Sequence, residues 1–566
     1  MDGVRNYGIQ RFHLDPHDGK LHSTQETLLC AREGLRWQLV PLLSQKKPAI
    51  TFFHGDEVAA KRACSTTVGD RISALPDELL LIILLFLSNA ADAARTSVLS
   101  RRWRAVWTLL PDLRVPFFPE PLSFRRALTA SQLPLHYLRL EGDRAIAESL
   151  AIWLPAAARR LSGTLFFLNH APDPKDMPAL SRLNKWTSNR TRGGFFEMPC
   201  FENAAEIILN LGFLRVQMPS GGVFVQLTVL VLERVWFCRP CNLGAAVSSP
   251  RCPRLQVLRV CNTRGLFSLD INSESLLELE LNNIVALYSH SIEAAVLKKL
   301  TVMNCFCRID KNFATISAPQ LVFLSWGNPL GQQKFLSLGQ MPHLQSIGEF
   351  SYLVYTDQSS KIVYTDQGPI GIPDNSAFME LLQRFKFKAI ESLALALIYT
   401  SDLENCQYMM EDMKVFPDPA ILYLSVLAHG HSFGASSFHV FRRCLGIKRL
   451  VLVLLDNAVS SEAQTDDPCP PDCVCDEQNN WKTEELLLIN LQEIEIQLLG
   501  GFEHEVSFVK RLLNWATALN KVTVTLSSST TENDAKELFQ MFKSLSKPEV
   551  CIKLMYHNHK EVLYAT

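Results

Sequence analysis

The chain has 566 residues, long for one compact domain, so several domains or a repeat array are expected. Hydrophobic residues at 47% and charged residues at 20% exclude disorder over most of the chain, and a formal net charge of −1 excludes a global field for nucleic acid or an anionic membrane. Fifteen cysteines, odd in number and without a regular framework, fit a reducing compartment, so an intracellular protein of the nucleus or cytoplasm is expected.

The opening MDGVRNYGIQRFHLD lacks the charged-then-apolar order of a signal peptide. Trp37, Leu39, Leu42 and Phe52 hint at local structure, but charges and turns break any sustained period. Residues 1–68 therefore read as a mostly disordered or nonessential extension.

From Asp70 to Pro111 the pattern changes to three short apolar and basic helices. Pro76 suits a first helical position, where its missing N–H would be unpaired anyway, and Asp77 and Glu78 suit the positive helix end. Leu79, Ile83 and Leu87 recur every four residues, with Leu80 and Leu84 alongside, a stripe wider than one short helix can hide. Asn89 and Asp92 mark a break and a restart, a second helix passes through Val98 and Leu99, and Ser100 caps a third that carries Trp103 and Trp107 until Pro111 ends it. The apolar run is far below the roughly 20 residues that span a bilayer. Arg101, Arg102 and Arg104 form only a local basic cluster, so neither a membrane nor a nucleic-acid partner is expected.

Asp70, Leu75, Pro76, Leu79, the LSRRWR run, Trp103 and Trp107 resemble an F-box, the module that plugs substrate receptors into cullin-based ubiquitin ligases. The resemblance implies that residues 69–115 bind a Skp-type adaptor and, through it, a cullin. The adaptor-binding residues it points to are Leu75, Pro76, Leu79, Leu80, Ile83, Leu84, Leu87, Val98, Leu99, Trp103 and Trp107. On pattern alone, the same side chains read more readily as the core of a helical subdomain, and it is the resemblance that turns the reading to adaptor binding.

Beyond the helices an LxxLxL pattern recurs, its last two apolar positions two apart as on one face of a strand. Clear copies are Leu227, Leu230, Leu232; Leu255, Leu258, Val260; Leu276, Leu279, Leu281; Leu297, Leu300, Val302; and Leu321, Leu324, Trp326. Weaker copies fall at Leu135, Ala204, Leu344, Ile390 and Ile447. First positions of the clear copies are 28, 21, 21 and 24 residues apart, inside the about 20 to 29 of leucine-rich repeats, whose strands hide their apolar faces only by stacking on neighbours. Residues 116–483 therefore read as an irregular leucine-rich-repeat solenoid with a parallel sheet, irregular because the usual Asn or Cys is approached only at Asn304, Cys305 and Asn328. The alternative is an ordinary α/β domain, which predicts longer helices between the strands.

Two stretches interrupt the array. Residues 351–376 carry VYTDQ twice, at Val354 and Val363, and suggest a β-hairpin or an excursion. Residues 456–481 have the composition of an exposed loop. Cys469, Cys473 and Cys475 within it could begin a zinc site, but a fourth ligand is needed and no CxxC or HxxxH lies nearby. Cys238 and Cys241 make a lone CxxC, a weak signal read as a buried or unpaired thiol pair. The expectation is no metal and no cofactor.

Gly430-His431-Ser432-Phe433-Gly434 fits G-x-S-x-G after an apolar run, with Asp456 and His504 following in hydrolase order. Such short matches arise by chance, no oxyanion-loop motif accompanies it, and the next apolar unit at Ile447 continues the repeat step. No catalytic residue is expected.

The last portion, 484–560, reads β-α-β-α-β: Leu491, Ile494 and Ile496; a helix with Val506, Val509 and Leu513; Val522, Val524 and Leu526; a helix capped by Thr531 and blocked by Pro548; then Val550, Ile552 and Leu554. The runs WKTEELLL, LQEIEIQ and HEVSFVKRLLNWATALNKVTV resemble the FBD domain that follows leucine-rich repeats in plant F-box proteins. The fold expected is thus α/β: an N-terminal three-helix F-box, an irregular solenoid with a parallel sheet, and a C-terminal FBD-like cap. The function implied is a non-catalytic receptor subunit of a Skp–cullin–F-box ubiquitin ligase that holds an unknown target protein. The alternative is a non-ligase leucine-rich-repeat scaffold that binds a protein partner. Nothing in the repeats marks a pocket for a small ligand.

Overall fold

The computed structural model describes residues 12–14, 21–23, 75–85, 95–116, 118–131, 133–143, 145–170, 194–285, 287–303, 305, 313–327, 335–356, 362–365, 368–371, 375–385, 390–400, 402–455, 473–476, 480–527, 530–556 and 562–565. The chain divides into two units, Met1–Ala74 and Leu75–Thr566. In the first, strands Phe12–Leu14 and Leu21–Ser23 pair antiparallel. The rest of the expected extension lies outside the described residues, as do Leu87, Asn89, Asp92, Asn304, Asn328, Asp456 and Cys469.

In the second unit the repeat spacing becomes a ladder of parallel strands. Leu230, Leu258, Leu279, Leu300 and Leu324 stand opposite one another across five neighbouring strands, and all are buried. The same column continues backward through Ile207, Leu165, Leu138 and Leu113, and forward through Ile347, Leu393, Leu422, Leu450, Ile494, Val522 and Ile552. Among the described residues, sixteen strands from Asp112–Val115 to Cys551–Tyr556 therefore pair in sequence order. Burying each such side chain contributes about 1.5–3 kcal/mol, a gain that exists only because a neighbouring strand covers it.

What lies behind the ladder follows local periodicity. Leu269 and Ile271, like Ile292 and Ala294, alternate at period two and form strands Ser268–Ser273 and Ser289–Ala294. With Phe313–Ser317 and Phe335–Leu338 they build a second parallel sheet. Leu150, Trp153, Leu154 and Ala157 instead follow helical spacing and are buried along helix Ala147–Arg160. The middle of the array is thus a solenoid of two sheets, whereas both ends carry the longer helices that the alternative α/β reading expects. The whole is a mixed α/β fold with a large parallel sheet, consistent with a leucine-rich-repeat-like architecture.

Of the expected asparagine and cysteine positions, Asn304 and Asn328 lie outside the described residues, Cys305 is described, and two earlier repeats carry asparagine at the place equivalent to Asn304. Asn262 and Asn283 both adopt left-handed backbone, with φ of 54° and 52°, and Asn283 Nδ2 donates to Asn262 Oδ1 at 2.8 Å. Asparagine tolerates that conformation better than most residues. Cys305, fully buried, places its thiol against the Met303 carbonyl at 3.1 Å.

His290 is buried between the two sheets, its ring centroid 5.8 Å from that of Trp326. Burial pushes its pKa down to about 4. An unfolded histidine titrates near 6.5, so the neutral form favours folding above that pH and the advantage is lost as pH falls towards 4. Between pH 7 and pH 5 the chain should lose about 2 kcal/mol of stability through this group. Urea unfolding at the two pH values measures it; His290→Leu should remove that share of the difference, and an unchanged difference would contradict the assignment.

The C-terminal portion extends the ladder rather than standing apart. Strands Glu493–Leu499, Lys521–Leu526 and Cys551–Tyr556 alternate with helices Glu503–Trp515 and Glu532–Leu545. Thr531 caps the second helix as expected, its hydroxyl accepting from the Asp534 N–H at 3.3 Å. One strand was not foreseen: Val562–Ala565 turns back and pairs antiparallel on Cys551–Tyr556 at the end of the sheet. Of the two VYTDQ copies, the first sends Tyr355–Thr356 to pair with Gln407–Tyr408, and the second supplies strand Ile362–Thr365 of a hairpin with Gly368–Gly371.

Candidate docking surface

The helical segment that precedes the first ladder strand is half committed to the chain's own core. Helix Asp77–Leu85 begins one residue after Pro76, whose carbonyl accepts from the N–H groups of Leu79 and Leu80 at 3.1 and 3.2 Å. A 3-10 turn, Thr96–Val98, leads to helix Arg101–Trp107, capped by Ser100, whose hydroxyl accepts from the Trp103 N–H at 3.3 Å. Arg102 ties the two helices together: it donates to the Leu75 carbonyl, and its Nε donates to Asp77 Oδ1 at 2.7 Å.

Spacing of four residues then sorts the apolar side chains into two columns. Leu80 and Leu84 point inward and are buried with Trp103 and Val106. Leu79 and Ile83 point outward and are 44% and 40% exposed. Val98 and Leu99, at the start of the next helix, are 84% and 69% exposed, and Pro76 is exposed as well. Leu75 and Trp107 are intermediate and pack against the core. Of the eleven residues singled out in the sequence, the structure thus leaves Pro76, Leu79, Ile83, Val98 and Leu99 on the surface. Exposed large apolar residues gathered in one short segment mark an interaction surface.

A second surface is the polar face of the ladder, where residues alternate with the buried column. Arg449 Nη2 lies 3.0 Å from Glu495 on the adjacent strand, Arg259 lies 3.6 Å from both Glu278 and Glu280, and the Arg139 guanidinium sits 4.5 Å from the Phe166 ring centroid. Both charge signs and an aromatic ring occur on this face, so it presents no uniform charge.

The remaining motifs resolve as follows. Ser432 of the G-x-S-x-G match is buried in the turn between strand Ile421–Leu427 and helix Gly434–Phe441, and among the described residues its hydroxyl makes no hydrogen bond to a histidine. Cys238 and Cys241 are free thiols, and burial pushes Cys241 above the ordinary thiol range. Among the described residues neither belongs to a group of potential metal ligands, whereas Cys473 and Cys475 do, together with His431. Sequence inspection missed His431 because it lies 42 residues before Cys473. No helix among the described residues is long and apolar enough to cross a membrane.

Fold and surface together define a class: a repeat array of parallel strands preceded by a helical segment with exposed apolar side chains. Residues 72–114 match the F-box domain family model. A protein of Arabidopsis thaliana bearing the name F-box/FBD/LRR-repeat protein is 29% identical over 269 residues, 46% of this chain and 52% of that protein. A second of that name is 28% identical over 271 residues, 45% and 54% of the two chains. An Arabidopsis F-box protein is 47% identical over 314 residues, 51% and 60%. The chain spans about half the length of the curated relatives it matches. The chain is thus similar to the F-box domain over residues 72–114 and, over about half its length, to plant proteins named F-box/FBD/LRR-repeat.

Proposed function

We propose that the protein is a substrate-recognition subunit of a Skp–cullin–F-box ubiquitin ligase. The observation that carries the reading is the division of helix Asp77–Leu85 into a buried column and an exposed one within the residues that match the F-box family. Leu79, Ile83, Val98 and Leu99, with Pro76, form the contact with a Skp-type adaptor; Leu80, Leu84 and Trp103 support them from behind. The adaptor joins a cullin, and the polar face of the ladder, with the FBD-like end, holds the target protein. The chain itself transfers nothing. Tethering the target beside a charged conjugating enzyme makes transfer nearly intramolecular, and the raised effective concentration is the catalytic contribution.

Co-expression of the full chain with a Skp-type adaptor tests the reading. A complex that survives size-exclusion chromatography supports it, and separate elution of two folded proteins refutes it in favour of a scaffold without ligase connections.

A further inference from the structure

After strand Arg449–Leu454, the next regular element among the described residues is a short 3-10 turn, Val474–Asp476. Cys475 is buried there in a stretch otherwise rich in acids and prolines, and the Val474 carbonyl accepts a long hydrogen bond from the Tyr355 hydroxyl at 3.5 Å. Opposite stands His431, in the turn that follows strand Ile421–Leu427 and buried against Tyr399, with ring centroids 6.3 Å apart and planes at 18°. One nitrogen of His431 and the thiol sulfurs of Cys473 and Cys475 all lie within 4.8 Å of one another.

We propose that His431, Cys473 and Cys475 form a binding site for a thiophilic divalent cation, for which zinc is the natural occupant. Imidazole and thiolate donors are the set that zinc takes in tetrahedral sites. Zinc–sulfur bonds of about 2.3 Å and zinc–nitrogen bonds of about 2.05 Å at a tetrahedral angle place the two donor atoms about 3.6 Å apart. Cys473 Sγ and His431 Nδ1 are 3.5 Å apart. Stacking on Tyr399 fixes the plane of the imidazole, as the surroundings of metal-binding histidines commonly do. The fourth position falls to a water molecule. Binding displaces the two thiol protons to solvent, so the metal joins as a cation bound by two thiolates with no change of oxidation state. Such a clip fastens residues 473–476 to the turn between two ladder strands.

The full chain, purified without chelator and dialysed, should carry about one zinc per molecule by elemental analysis. Cobalt in its place should give the thiolate-to-cobalt charge-transfer absorption of a tetrahedral site. His431→Ala and Cys473→Ser should both lose metal and absorption, while Cys444→Ser, a buried thiol elsewhere, keeps them. Because a variant at a packed position can misfold, thiol labelling of the unmodified chain provides a second reading: zinc should slow alkylation of Cys473 and Cys475, and a chelator should restore it. A chain that stays below one-tenth of a zinc per molecule after incubation with the metal, with labelling rates unchanged by zinc, overturns the proposal.

Discussion

Leu79→Asp and Ile83→Asp should each weaken capture of a Skp-type adaptor by about 30-fold or more, and the pair together should abolish it. Both side chains are apolar and exposed on the same face of a helix, so a carboxylate there leaves the free protein untroubled but would be stripped of water in the complex. Losses of about 2 kcal/mol are typical of central interface anchors. Unfolding midpoints should move by no more than about 0.5 kcal/mol, as for other surface substitutions. Leu84→Asp supplies the contrast: that position is buried, and an unpaired charge there should unfold the segment itself. Adaptor affinity by calorimetry, read beside urea unfolding, separates the two columns. If both exposed variants bind as the parent does, the docking face lies elsewhere and the scaffold reading gains.

Phe508→Ala should destabilise the entire ladder by about 3–5 kcal/mol, and not just the C-terminal portion. Phe508 is fully buried and sits where three parts of the chain converge. Its ring lies 5.1 Å from Phe433 and 6.2 Å from Phe441 of the repeat array, 5.9 Å from Trp481 on the short helix Asn480–Thr483, and 6.3 Å from Trp515 on its own helix. An FBD-like portion that were a separate domain would melt by itself, giving two transitions. One transition at lower denaturant in the variant, with near-ultraviolet and far-ultraviolet signals coincident, is the expected result. Two resolved transitions would show that the ladder register across Leu450 and Ile494 does not couple the parts.

These two sites show how unevenly the sequence discloses the molecule. The ladder was legible because LxxLxL fixes both the strand face and the neighbour's register; Leu258, Leu279 and Leu300 stand opposite one another as their spacing requires. The C-terminal order was legible for the same reason, since Val522 and Ile552 keep a strand period that the helix between them interrupts. Strand Val562–Ala565 was hidden because four residues carry too little pattern. In the docking helix every residue from Leu79 to Leu85 is apolar, so no periodicity distinguishes Leu79 and Ile83 from Leu80 and Leu84. Only the packing of helix Asp77–Leu85 against helix Arg101–Trp107 decides which column turns inward. His431 was hidden for a topological reason: a parallel connection brought it beside Cys473 across 42 residues.

Helix Arg101–Trp107 precedes one edge strand, Asp112–Val115, and the antiparallel strand Val562–Ala565 covers the other edge of the described ladder. At about 4.8 Å per rung, sixteen of them trace an arc of roughly 70 Å. Under the proposed function, a cargo held near Leu138 would hang close to the helices that meet the adaptor, and one held near Ile552 would hang most of that arc away. The rung at which a cargo is held would thereby choose which of its lysines swing within range of the transferring enzyme.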